Sequence, residues 1–257
     1  MEAATGLARC QIHQFIHELE FRKIYARWVP KMLTEEHLMK RMASALEFLS
    51  LYQQDPPIIQ RIVTGDETRI YDMSITTKQK SMEWRYYNSP ATKKFKVIPS
   101  AGKMIGAFFW GYKSIIHIEY MPKDTAITTD AYCDTLMRLQ NAIKSKRPGL
   151  LKRGGILIRD NATPHSAGIT QAYLKDLKWT IFNHPPHSPD LASSDYHLFG
   201  DFKKFLRGVR FHNDDEVKNA VLEFVKTLDG NYFEEGLLKL VYRYDKCLNL
   251  MGNYVEK

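Results

Sequence analysis

The sequence predicts an α/β domain in which three strands come first and helices then alternate with further strands. Between Ile58 and Tyr120, apolar residues follow a β pattern with one tight turn at Gly111. After Thr128, segments with helical spacing alternate with short apolar runs. A chain of 257 residues is long enough for one large core, or for one core with a small appendage.

Helices are predicted on the N-terminal side of this region. Apolar residues repeat at i, i+3, i+4 and i+7 from Ile12 to Leu19, which indicates a short amphipathic helix. A second helix is predicted over residues 34–52, where apolar side chains share one stripe: Leu38, Met42, Ala45, Leu49 and Tyr52. Pro30 stops or kinks the chain between the two helices.

The order of the remaining elements indicates the type of α/β fold. Strands are predicted over residues 62–71, 104–110 and 114–120, and a helix capped by Thr128 or Thr129 then runs to Pro148-Gly149. The unbroken apolar run 156–158 predicts a strand buried on both faces. A helix, a strand and a helix complete the pattern, at residues 167–177, 179–182 and 194–206. This βββαβαβα order is that of ribonuclease-H-like folds. A helix around residues 217–225 and a helical tail rich in tyrosine follow.

The charge balance favours an anionic partner. Thirty-seven basic and 29 acidic residues give a net charge of +8, and much of the basic charge is clustered. One cluster contains Lys203, Lys204 and Arg207, and another contains Lys144, Lys146, Arg147, Lys152 and Arg153. Each cluster alone has a simpler interpretation as a solvated helix face, whereas all of them together favour nucleic acid.

Cysteine usage predicts an intracellular protein. The three cysteines are far apart and have neither the spacing of a zinc site nor that of a disulfide framework. We find neither a signal sequence nor an apolar run long enough to cross a membrane, so no membrane partner is expected. The expected compartment is the cytosol or the nucleus.

Three aspartates are the candidate catalytic residues. Asp66 falls within the first strand, Asp160 ends the buried strand, and Asp195 lies in the first turn of a helix. Three carboxylates on two strands and a helix start are suited to holding two divalent metal ions for phosphodiester chemistry. Each also has a structural interpretation: a turn residue at Asp66, an Asx turn at Asp160, and a helix cap at Asp195.

Other chemistries receive less support from the sequence. His165-Ser166 suggests a hydrolase triad, but no nucleophile elbow of the G-x-S-x-G kind is present. His184 and His187 are possible zinc ligands, but no cysteine or histidine pair lies at a matching distance in the sequence. The sequence also has no P-loop and no dinucleotide-binding fingerprint.

Several motifs, in order, resemble those of mariner-family transposases. WVPKML at 28–33 is similar to the family's inter-domain linker, RIVTGDE to its first catalytic block, and RDNATPH to its HDNAPxH block. HPPHSPDLASSDYHLF is similar to HPPYSPDLAPSDYHLF, and the 34 residues between Asp160 and Asp195 match the mariner spacing. Asp190 in SPDL leaves only 29 residues after Asp160, so it is assigned to the loop.

The resemblance implies a fold, an activity and partners. The implied fold is an α/β, ribonuclease-H-like core of the retroviral-integrase type, with a short N-terminal helical segment and C-terminal helices. The implied activity is cutting and joining DNA, with Asp66, Asp160 and Asp195 holding two Mg²⁺ or Mn²⁺ ions. The implied partners are transposon ends, target DNA and a second copy of the chain in the nucleus, with pairing through a linker of Trp28, Val29, Pro30 and Leu33. Residues 1–33 then correspond to the remnant of a helix-turn-helix region plus the linker, and residues 34–257 to the catalytic domain.

The sequence also departs from the family pattern. Arg159 stands where the family has His, Lys31 replaces the linker's His, His187 replaces a Tyr, and Ser193 replaces a Pro. Arg159 either competes with the metal ions or holds a DNA phosphate, as Lys203, Lys204 and Arg207 are also expected to do. Only about 27 residues precede the linker, so weak, salt-sensitive, largely sequence-independent DNA binding is expected. The alternative is a domesticated remnant that binds DNA or a partner without catalysis.

Overall fold

The computed structural model describes residues 6, 8–20, 29–71, 103–121, 128–152, 154–177 and 179–255. The chain forms two compact units, Met1–Met32 and Leu33–Lys257. In the first unit, helix α1 (Arg9–Glu18) confirms the predicted N-terminal helix. Trp28 lies outside the described residues, and Met32 has 82% of its surface exposed.

The second unit contains a five-stranded mixed sheet. Its strands are β1 (Ile62–Tyr71), β2 (Lys103–Gly111), β3 (Ser114–Met121), β4 (Ile156–Arg159) and β5 (Thr180–Asn183). They lie in the order β3-β2-β1-β4-β5. β1 to β3 form antiparallel pairs, whereas β1, β4 and β5 run parallel to one another. This arrangement confirms the predicted ribonuclease-H-like fold class.

Helices cover both faces of the sheet and create two apolar clusters. Among the described residues, the α-helices of this unit are α2 (Glu35–Gln54), α3 (Thr129–Lys146), α4 (Pro148–Lys152), α5 (Thr163–Ser166), α6 (Gly168–Asp176), α7 (Phe199–Phe205), α8 (Asp214–Lys226) and α9 (Gly230–Asn249), and a 3-10 helix, Pro56–Arg61, leads into β1. Phe48 of α2 stacks on Tyr244 of α9 at 4.6 Å in the larger cluster. Leu136 and Leu139 of α3 pack in the smaller cluster with Leu157 of β4. All four residues of β4 are buried, as its unbroken apolar run predicts.

The structure corrects two local predictions and adds one short helix that was not predicted. Pro148-Gly149 does not only end α3, because Pro148 also begins the short helix α4. The helix predicted over residues 194–206 opens with a π-helical turn, Ser194–Leu198, before α7 begins. The short helix α5 precedes α6. None of the helices in the described ranges is both long enough and apolar enough to cross a membrane.

Candidate active site

Asp66 and Asp160 are delivered by neighbouring parallel strands. Thr64 of β1 lies opposite Ile158 of β4. Continuing this register by two residues brings Asp160, the first residue after β4, beside Asp66. The backbone N–H of Ala162 donates to Oδ1 of Asp160 at 3.1 Å, so Asp160 also forms the predicted Asx turn. The structural and the functional interpretation of Asp160 are therefore compatible.

Asp195 lies on the π-helical turn, which is anchored to the core. Nε1 of Trp110 in β2 donates to Oγ of Ser194 at 3.1 Å. The hydroxyl of Tyr196 donates to the carbonyl of Gly236 in α9 at 2.8 Å. The residues on both sides of Asp195 are thus held by different elements. Single π-helical turns occur often at functional sites, because they re-aim a side chain within a helix.

α9 approaches the π-helical turn closely because position 236 is a glycine. A Cβ on Gly236 would stand 2.4 Å from Cδ2 of His197, far inside van der Waals contact. In the space that this leaves, the ring of His197 packs on Tyr232 at 4.1 Å, and Nε2 of His197 donates to the Tyr232 carbonyl at 2.8 Å. Gly236 therefore sets the position of the Asp195 segment.

The three aspartates line one cleft of about 470 Å³. Asp66 and Asp160 come from the sheet, Asp195 comes from the π-helical turn, and loop residues 184–189 line the rest together with Glu67, Asn161, Ala162 and Ala192. The structure therefore brings all three candidate catalytic residues to a common surface. Their role as metal ligands stays a prediction.

The cleft concentrates negative charge. Burial, together with the nearby carboxylates of Asp195 and Glu67, raises the pKa of Asp66 to about 8. Burial also raises the pKa of Asp195, since the opposing effect of Lys203 does not compensate for it. The cleft is thus short of positive charge, and a bound cation would relieve the repulsion.

A buried histidine holds the carboxylate of Asp160. Nδ1 of His165 donates to Oδ1 of Asp160 at 2.5 Å, and Nε2 of His165 lies 3.4 Å from Oε1 of Glu67. Burial disfavours the charged imidazole, but the two carboxylates outweigh this effect and raise the pKa of His165 to about 9. Burial also acts to raise the pKa of Asp160, but the hydrogen bond and the positive charge of His165, together with the N–H of Ala162, outweigh it and lower the pKa of Asp160. His165 and Glu67 were not predicted as site residues, although both lie inside the motifs GDE and RDNATPH.

The donor set fits divalent metal ions in its chemistry. Carboxylate oxygens are the ligands that Mg²⁺ and Mn²⁺ prefer, and the raised pKa of Asp66 reflects its burial first and the neighbouring carboxylates second. In the part of the chain that the structure describes, no three His, Cys, Asp or Glu side chains are already gathered around one ion position.

The structure corrects the expectation for Arg159. Its side chain is only 6% exposed, and its guanidinium lies 5.9 Å from the ring centre of Tyr132 in α3. Nε of Arg159 has no hydrogen-bond partner among the described residues. Arg159 is the last residue of β4, and the alternation of side chains along the strand directs it to the face of the sheet that α3 covers. Direct contact with a DNA phosphate or with an ion in the cleft does not fit this position.

The other three predicted DNA contacts lie on or just after α7. Lys203 and Lys204 are exposed, and Lys204 forms an ion pair with Asp201 at 2.8 Å. Arg207 follows the helix and is half-buried. Lys203 lies near enough to Asp195 to act on the pKa of Asp195. It is therefore the predicted DNA contact that the structure associates with the cleft.

The loop that closes the cleft is held by structural contacts. His184 is buried, which lowers its pKa to about 4, and its neutral ring donates from Nε2 to the Ser188 carbonyl at 3.0 Å. This bond gives His184 a structural role and disfavours the zinc alternative. The carboxylate of Asp190 is paired with Arg41, which agrees with its assignment to the loop.

Comparisons with known proteins agree with this geometry. A family model described as a transposase, partial DDE domain, matches residues 74–153. The chain is 32% identical over 233 residues to the human histone-lysine N-methyltransferase SETMAR, covering 90% of this chain and 33% of that protein. It is also 32% identical over 232 residues to the mariner Mos1 transposase of Drosophila mauritiana, covering 90% of this chain and 66% of that protein. The chain thus spans only part of the length of both relatives.

Solved structures match as well. A pre-cleavage Mos1 transpososome matches with a TM-score of 0.86 and 28% identity over 99% of this chain and 74% of that one. The catalytic domain of the Mos1 mariner transposase matches with a TM-score of 0.75 and 29% identity, over 89% of this chain and all of that one. The motifs, the strand order and these matches lead to one conclusion: the chain belongs to the mariner family of transposases.

Proposed function

We propose that this chain is a metal-dependent DNA transposase that cuts a phosphodiester bond at a transposon end and joins the freed end to target DNA. The observation that carries the proposal is the cleft shared by Asp66, Asp160 and Asp195. Structures of Mos1 complexes with Mn and with Mg support the use of divalent ions in the family.

Each residue of the cleft has a role in this proposal. Asp66 and Asp160 would hold the ions from adjacent strands, and Asp195 would complete the ligand set from the π-helical turn. When bound, two Mg²⁺ or Mn²⁺ ions supply the positive charge that stabilises the entering and leaving oxygens of phosphodiester displacement. His165 would orient the Asp160 carboxylate through its hydrogen bond at 2.5 Å. Lys203, beside Asp195, would hold a phosphate of the same strand.

The reaction would proceed in two displacements at this cleft. Water first attacks the phosphodiester at the transposon end and releases a 3′-hydroxyl. That hydroxyl then attacks a phosphodiester of the target DNA, so one bond forms for each bond broken. Both displacements develop negative charge on phosphate oxygens, which explains why one site serves both.

A plasmid assay tests this proposal. Supercoiled plasmid with Mn²⁺ should be nicked by the native protein, and Asp160→Asn should reduce the rate by at least about a hundredfold. Asp215→Asn is the matched control, because its side chain is 86% exposed on α8, away from the cleft. Nicking that survives Asp160→Asn, or that persists in EDTA, would assign the activity to something other than this cleft.

Self-association and nuclear localisation are part of the same proposal. Transposition joins two ends together, so we propose a homodimer that pairs through Trp28, Val29, Pro30 and Leu33 and acts in the nucleus. The exposed surfaces of Val29 and Met32 support an interface at this linker. Sedimentation at micromolar concentration should show a dimer that Trp28→Ala dissociates. A monomer that Trp28→Ala leaves unchanged would remove the linker from the proposal.

One observation favours a second candidate, a non-catalytic remnant that binds DNA. The aspartates are not gathered around an ion position among the described residues. If this arrangement persists with ions present, DNA binding remains but cleavage does not. Binding to plasmid DNA without metal-dependent nicking of that DNA would identify this case.

A further inference from the structure

A second concave surface of about 400 Å³ lies at the opposite end of the sheet from the aspartates. Four basic side chains line it and define what we call the basic pocket: Arg61, Lys113, Lys146 and Arg147. Arg61 precedes β1, Lys113 lies in the turn between β2 and β3, and the other two end α3. Three separate parts of the fold therefore bring positive charge to one surface.

The basic side chains at the end of α3 are held in place by neutral groups. Nη2 of Arg147 donates to Oγ of Ser114 at 3.0 Å, and Nζ of Lys146 donates to the carbonyl of Ile116 at 2.7 Å. Each bond fixes a basic side chain without neutralising it. The positions of the charges are thus set before any ligand arrives, which lowers the entropic cost of binding.

Three of the four basic side chains in the basic pocket have no acidic partner among the described residues. Arg61 pairs with Asp55. Within the described ranges, Lys113, Lys146 and Arg147 form no ion pair with a carboxylate. Arg147 is half-buried, and burial lowers its pKa, as expected for a cation that has lost water and gained no counter-charge. A concave surface with this charge excess attracts an anion.

We propose that the basic pocket binds phosphate groups of a polynucleotide backbone. An arginine fork and flanking lysines match the geometry and charge of phosphate oxygens. Arg61, the residue before β1, is five residues from Asp66 of β1, which corresponds to roughly 16 Å of extended chain. The basic pocket is therefore separate from the aspartate cleft, and a duplex of roughly five base-pair steps spans the same distance.

This inference rests on DNA being the substrate in the proposed function, but its test does not require catalysis. We would measure binding of a labelled duplex by fluorescence anisotropy in EDTA over a range of salt concentrations. The variant is Lys113→Gln with Arg147→Gln, and the matched control is Lys218→Gln with Lys226→Gln. Both variants lose two positive charges. The control lysines lie on α8 and form ion pairs with Asp215 and Glu223.

The expected result is a loss of salt dependence specific to the basic pocket. The slope of log K against log salt should fall in magnitude by about 1 to 2 in the pocket variant, and much less in the control. Lys113→Gln alone, at an exposed turn, should lower it by about 1 if the double variant does not fold. Equal slopes for the pocket and control variants would overturn the proposal.

The phosphate groups that the basic pocket binds could belong to a polynucleotide or to a small free phosphate. Adding inorganic phosphate at constant ionic strength distinguishes these two sources. Competition with DNA that the pocket variant abolishes would support the polynucleotide site. A different result would overturn the proposal: phosphate raises the melting temperature of the native protein but not of the pocket variant, while both proteins bind DNA equally. The basic pocket would then be a site for a small phosphate. A failure of plasmid nicking leaves these binding results unaffected, so the two proposals fail separately.

Discussion

Replacing Asp190 should destabilise the protein more than any exposed substitution, because it leaves a buried arginine without its partner. Arg41 is completely buried in α2, and its guanidinium donates to both oxygens of Asp190 at 2.9 and 2.7 Å. It also donates to Oγ of Ser188 at 2.5 Å and to the carbonyl of Gly252 at 2.6 Å. The same carboxylate accepts from the backbone N–H of Val255 at 2.7 Å.

The size of the effect follows from the charge that remains. Removing one partner of a buried pair costs about 3 to 5 kcal/mol, because the other charge stays in the core. Asp190→Ala should therefore lower the free energy of unfolding by about 3 to 5 kcal/mol, or the melting temperature by about 10 °C for a domain of this size. Asp190→Asn keeps the shape and should lose about 2 kcal/mol. Arg41→Met combined with Asp190→Asn should lose less than the sum of the two single changes.

Urea unfolding of these variants, followed by far-UV circular dichroism, measures the effect. Asp190→Ala should also lose DNA nicking, because Ser188 and Ala192 line the cleft on either side of the anchored residue. Asp215→Ala, which removes the partner of Lys218 on the exposed face of α8, is the control and should change stability by less than about 1 kcal/mol. A loss at Asp190→Ala no greater than that of the control would refute the assignment of this pair as the anchor of the loop.

Three further predictions concern the cleft and its support. The raised pKa of Asp66 means that its contribution to stability is present below about pH 4 and is lost as pH rises toward 8. In EDTA, Asp66→Asn should therefore be more stable than the native protein across that window, by roughly 3 to 5 kcal/mol at pH 9. With Mg²⁺ in place of EDTA, only the native protein should be stabilised. Equal unfolding curves for the two proteins in EDTA at pH 9 would contradict this. His165 contributes stability that is complete below about pH 6.5 and is lost as pH rises through about 9, so His165→Asn should destabilise the protein at pH 6 far more than at pH 10 in the same urea assay. Gly236→Ala should lower the free energy of unfolding by about 1 to 3 kcal/mol, because the new methyl group meets His197. Gly200 has open space around it, so the control Gly200→Ala should change the free energy of unfolding by less than about 1 kcal/mol or increase it.

The strands of the sheet were predictable from the sequence, because the burial of each strand leaves a recognisable pattern of apolar residues. The run at residues 156–158 is apolar throughout and becomes the internal strand β4, between β1 and β5, buried on both faces. The turn at Gly111 joins two antiparallel strands, as its position between two apolar runs predicts. Placing Asp66 and Asp160 on neighbouring strands then required only the strand order.

The supports of the site were not predictable, because they depend on contacts between distant parts of the chain. Arg41 and Asp190 are 149 residues apart in the sequence. Local periodicity does not indicate that a basic residue such as Arg41 is buried on α2. The π-helical turn at Asp195 likewise depends on Trp110 and on the missing Cβ of Gly236. Helical spacing alone predicts an ordinary helix there, since a π-helical turn leaves the local apolar pattern nearly unchanged.

Arg159, which departs from the family pattern, is connected to the cleft through other side chains and does not lie in the cleft itself. Its guanidinium lies over Tyr132, and the ring of Tyr132 packs against that of His165 at 4.0 Å. His165 in turn holds Asp160 through the 2.5 Å hydrogen bond. A cation at position 159 therefore does not compete directly for the ions that the cleft is proposed to bind. The connection between Arg159 and the Asp160 carboxylate is indirect, because it runs through the rings of Tyr132 and His165, which are tilted against each other by 32°.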